Sequence, residues 1–176
     1  MRIEPFPIFA FCLGILLPFN SEAQDSLFLK ESIQKWRNAA SYTLELVKSM
    51  PSENYDFKPV EDERSFSEQL EHIGENMTWL AGTYLGGRKF EHPLLERKAH
   101  TPEETVELLE ASLIFAQQTL ENLSPDSLNV LCNFFAGPKT RRQIINVMHD
   151  HHTHHRGQLI VYLRLKGIKP PKYRGW

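Results

Sequence analysis

The segment TRRQIINVMHDHHTHHRGQLIVYLRLK, Thr140 to Lys166, restricts the fold of this chain more than any other. It reads as one long helix. Thr140 and Gln143 form a capping-box pair at its start, and Gly167 ends it with Pro170 and Pro171 beyond. Its apolar stripe runs Ile144, Met148, His151, His155, Leu159 and Tyr162 in steps of three and four. Two histidines therefore stand where a core helix normally carries Leu or Ile. An inward neutral imidazole needs a hydrogen-bond partner or a metal.

Residues at i and i+4 point the same way, so His151 and His155 can grip one cation. Each could equally be a core histidine satisfied by hydrogen bonds, and spacing alone leaves both readings open. His154 could replace His155 through i, i+3 spacing to His151. His149 and His152 face another side of the helix, where solvent is expected. Two ligands do not complete a site, so a third has to come from elsewhere in the chain.

At 176 residues the chain suits one domain with a sizeable core. Its formal charge of -2 argues against broad nucleic-acid binding, which needs a basic surface. The first two dozen residues read as an export leader. Pro7 to Phe19 is almost wholly apolar, and Ser21-Glu22-Ala23 offers small residues for cleavage after Ala23. The apolar run is short for a membrane span, so residues 1–23 are expected to be removed and 24–176 to form the mature domain. No stable membrane span would then remain, and the protein would be periplasmic or extracellular; a retained anchor is the alternative. Cys132 would be the one cysteine left, which excludes an intrachain disulfide. It is expected to be a small buried hydrophobe, since no neighbouring cation favours a reactive thiolate.

Three more helices are expected. The first spans Ser26 to Ser49, with Leu29, Ile33, Trp36, Ala40, Thr43 and Val47 on its stripe. A turn-rich loop follows, with Tyr55 and Phe57 as buried plugs. The second runs from the Ser65/Glu68 capping box to about Leu85, where Gly86-Gly87 breaks it. His72 lies on a strip beside its core face. Arg88 to His100 is a connection with room for a short helical turn, and its His92 and His100 rank below His72 as ligands. The third helix opens with Thr101, Pro102 and Glu104 and stops at Ser124-Pro125-Asp126. Leu128 to Phe135 is apolar and partly β-like, either an extended lid or a short strand. Four amphipathic helices without a convincing strand ladder predict an all-α four-helix bundle.

Ser65 to Leu80, SFSEQLEHIGENMTWL, and Asp150 to Gly167, DHHTHHRGQLIVYLRLKG, resemble the DinB/YfiT-like family. That resemblance implies a four-helix bundle with a three-histidine metal site between helices. Placed residue by residue, the His of the Gln-Leu-x-His-Ile motif is His72, and the pair before Arg-Gly-Gln is His151 and His155. The implied cofactor is a divalent ion, zinc or nickel first, iron or manganese next. Three histidines leave a coordination position for water or substrate. Characterised relatives look like transferases or isomerases that use a small thiol such as bacillithiol, mycothiol or glutathione. The substrate expected here is a small molecule, with or without such a thiol, and export would favour metal-assisted hydrolysis. The alternative is a non-catalytic metal-binding or structural bundle. No catalytic residue beyond the three histidines is assigned. Arg156 and Gln158 are expected to bond a neighbouring helix or loop, with a substrate role as the alternative, and Glu75 and Asp150 are the nearby carboxylates. The resemblance leaves room for a homodimer, although no exposed stripe demands one.

Overall fold

A computed structural model describes residues 21–175 as four long helices. They are α1 (Ser21–Ser49), α2 (Phe66–Trp79), α3 (Pro102–Glu121) and α4 (Arg141–Leu165). The expected leader lies largely outside the described residues. α1 starts five residues earlier than its stripe predicts. Nothing in that turn breaks a helix, and Asp25 pairs with Arg142 and accepts a bond from Asn129.

The helix ends obey their sequence signals. Ser65, Thr101 and Thr140 each close a capping box, with Glu68, Glu104 and Gln143 respectively. After α4, Gly167 takes φ 73°, the Gly167 N–H donates to Arg164 O and the Ile168 N–H to Leu163 O. This double closure satisfies carbonyls that the helix end leaves free. The Ser65 box matters most here, because it begins the helix that carries His72. Ser65→Ala is expected to lower unfolding free energy by about 1 kcal/mol in urea melts.

One segment and one side chain depart from expectation. The second helix does not continue as an α-helix to Leu85: Leu80–Gly86 is wound as a π-helix. Gly87 at φ 61° then turns the chain back, and the Arg88 N–H bonds Gly82 O at 3.1 Å. A Cβ at Gly82 would sit 2.4 Å from Arg88 O, so the return path requires glycine there. The apolar stretch near Phe135 contains a strand, β1 (Leu131–Cys132), paired antiparallel with β2 (Lys139–Thr140). Cys132 is only half-buried, and its thiol reaches Tyr84 O, so it lines the hairpin rather than the core.

α1 and α2 each pack against both α3 and α4. Going round the bundle the order is α1, α3, α2, α4. Trp36, Phe66, Leu70, Ile73, Leu113, Leu120, Ile144 and Leu159 fill the centre and are almost wholly shielded from solvent. Tyr55 is buried and Phe57 half-buried, as plugs under the α1–α2 loop. This order decides the fate of the histidines, because α4 is covered by α2 on one side and by α1 on the other.

Candidate metal centre

His151 and His155 lie one turn apart on the side of α4 that meets α2, and His72 reaches across from α2. Their ring centroids are 5.2 Å (His72–His151), 4.5 Å (His72–His155) and 4.5 Å (His151–His155) apart. One nitrogen from each ring can be chosen so that all three lie within 4.8 Å of one another. His155 is buried; His72 and His151 are half-buried.

The electrostatics keep these rings neutral. Burial pushes His151 down to about 4, reinforced by the positive charge that His72 and His154 would carry. Burial and neighbouring His151 push His155 down to about 4 against an opposing bond from Gln158. His72 is lowered by burial and then by Arg64. A neutral imidazole offers a lone pair, which is what a metal requires. The Nδ1 atom of His151 is buried without a hydrogen-bond partner among the described residues. Three neutral imidazoles, one with an unpartnered buried nitrogen, fit a borderline-soft divalent cation.

The other histidines divide differently. His154 is exposed; its ring touches His155 but does not join the cluster. His92 and His100 stand apart in the connection after α2, with His100 held between Glu71 and Leu94 O. The solvated placement expected for His149 and His152 is corrected: they are 4% and 0% exposed. Both face α1. His152 shares a 2.8 Å bond with Thr43 Oγ1, and Trp36 packs on both rings. Periodicity identified the side of the helix but not the neighbour that covers it.

Arg156 plays the part expected of it, bonding a neighbouring helix, whereas Gln158 turns back onto a histidine of its own helix. Arg156 bonds Ala39 O on α1 and the Thr153 hydroxyl, and Gln158 Oε1 lies 2.8 Å from His155 Nδ1. Sequence reasoning passed over Gln69, whose Oε1 lies 2.9 Å from the same nitrogen. Its signal was present: an amide on a core face, one turn before His72. Of the two carboxylates, Glu75 shares an open cleft of about 380 Å³ with His72. Asp150 lies on the α1 side with His149 and Arg156, away from the three histidines.

The DinB family profile matches residues 23–175, nearly the whole chain. The chain belongs to the DinB family. An uncharacterized protein of Bacillus subtilis, YjoA, is 26% identical over 128 residues, 71% of this chain and 82% of that protein. The crystal structure of YjoA, a DinB-like protein, superposes with a TM-score of 0.68 at 21% identity, covering 81% of this chain and 96% of that one. A DinB-like protein from Bacillus cereus gives a TM-score of 0.70 at 18% identity, covering 82% and 97%. At such identities the two structures establish the bundle fold that this DinB protein shares with them. No helix among the described residues is long and apolar enough to cross a membrane.

Proposed function

We propose that this DinB protein is a divalent-metal enzyme acting on a small molecule, with His72, His151 and His155 as the ligands. The reading rests on one observation: three neutral imidazoles from two helices bring nitrogens within 4.8 Å of one another. The family resemblance puts zinc or nickel first, and iron or manganese next; an all-histidine donor set does not by itself separate them. Such an ion supplies Lewis-acid chemistry, lowering the pKa of a thiol or water that it meets. Three protein ligands are one fewer than a closed structural site uses.

The chain itself binds and screens. His72 lines the open cleft, together with Glu61, Asp62, Glu63, Glu68, Glu71 and Glu75 against Lys58 and Arg64. Six carboxylates facing two cations attract a cationic substrate, admit a neutral one and repel a polyanionic one. A thiol bearing several carboxylates is a poor fit to that entrance, which counts against anionic thiols as co-substrates; hydrolysis is the reaction class we favour. The leader read in the first two dozen residues points the same way, because export would remove the chain from the thiol-rich cytoplasm.

Purified protein stripped of metal, then reloaded with zinc or nickel, tests this. Ester and amide substrates, and electrophiles with and without a small thiol, are screened side by side. Hydrolysis that appears only with reloaded metal is the expected result. Failure of the protein to rebind any divalent ion would sink the proposal, and thiol-dependent turnover alone would overturn the choice of reaction.

A further inference from the structure

The hydrogen bonds behind His155 lead past the ligand to a carboxylate on the loop before α2. Gln69 Oε1 and Gln158 Oε1 both lie against His155 Nδ1, at 2.9 and 2.8 Å. On its other side Gln69 uses Nε2, which donates to Glu63 Oε1 at 3.1 Å. A carboxylate can only accept, so Glu63 dictates which end of the Gln69 amide faces it. The oxygen must then face His155, and an oxygen can only accept from the ring. His155 Nδ1 therefore carries the proton, and the lone pair sits on Nε2.

The support extends further. Tyr162, on α4, donates to Arg64 O at 2.7 Å and so fastens the loop that carries Glu63. The Gln69 Nε2 atom also lies 3.5 Å from the Tyr162 hydroxyl oxygen. Gln69 is wholly buried, so an unpaired amide there would be costly, and its two ends are both occupied.

We infer that Glu63 and Gln69 are positioning residues that fix His155 as the Nδ1–H tautomer and present Nε2 to the bound ion. The inference rests on the metal reading for its consequence but not for its first test. Tautomer is a property of the metal-free protein, whereas affinity is a property of the loaded one.

The test uses the full chain labelled with 15N on histidine. In metal-free protein at about pH 7.5, above the ordinary imidazole range, His155 is expected to show a protonated Nδ1 and a bare Nε2. Gln69→Leu combined with Gln158→Leu should shift His155 toward the Nε2–H form and weaken zinc binding by roughly 10–100-fold. Glu63→Gln is the milder variant, because it touches no histidine. Its amide can donate as well as accept, so Gln69 is free to reverse and a mixture of tautomers should appear. A bare Nδ1 in the parent would overturn the inference. So would a Glu63→Gln protein and a folded double variant that both keep the parental tautomer and zinc affinity. A parent with protonated Nδ1 that binds no zinc would uphold this inference while ending the metal reading.

Discussion

His151→Ala is expected to lower zinc affinity by roughly 10²–10³-fold and to abolish stoichiometric metal in purified protein. Zinc held by four ligands in small domains binds with about 10–16 kcal/mol, so each ligand carries about 2.5–4 kcal/mol. Removing one of three leaves His72 and His155, which cannot retain an ion against dilution. The metal-free variant should stay folded. His151 is half-buried and its Nδ1 has no partner among the described residues, so truncation breaks no hydrogen bond there. A stability change within about 1 kcal/mol is the expected cost. His154→Ala is the matched control: its ring lies 4.9 Å from His155 but is exposed, and it should bind zinc as the parent does. Competition titration and elemental analysis read the result. Parental affinity in His151→Ala would reduce the three histidines to packing.

The contrast between His151 and His154 shows how far the sequence could be read. A 3.6-residue period places each side chain on a side of α4, and the stripe through Met148, His151, His155 and Leu159 identified an inward face without saying which helix covers it. Capping boxes at Ser65, Thr101 and Thr140 fixed three helix starts, because those signals are local. The convergence of His72 on that face came from family resemblance, since no local signal relates two helices so distant in the chain. His149 and His152 were misplaced for a related reason. Their burial depends on α1 lying beside α4 and not diagonally across from it, which is a matter of packing order. The π-helical turns after Trp79 were hidden too. They arise where the chain folds back on Gly82, a contact that depends on the return path and not on the periodicity of the residues before it.

That packing order gives the second large effect, a loss of stability on mild acidification. Burial, followed by Lys35 and partly opposed by a Ser32 backbone contact, pushes His149 from 6.5 to about 4. Burial and then Arg156 push His152 well below its ordinary value. Each ring is neutral in the folded protein, whereas in the unfolded chain it protonates near 6.5. Between about pH 6.5 and 4 the unfolded chain therefore binds more protons, and unfolding free energy falls as pH falls. Above that window the two states match and the groups exert no pull. For His149 alone, a shift of that size corresponds to about 3 kcal/mol. That is a large share of the roughly 5–15 kcal/mol typical of a domain. His151 and His155 steepen the same fall in metal-free protein, so His149 has to be isolated by mutation. Urea melts at steps from about pH 7.5 to 4.5 should show the midpoint dropping steadily below about pH 6.5. His149→Leu keeps an apolar contact with Trp36 and removes one proton from the balance. Its unfolding free energy should fall less steeply than the parent's over that range, by about 2.5 kcal/mol in total. Equal slopes in the two proteins would mean that His149 is already charged in the folded core.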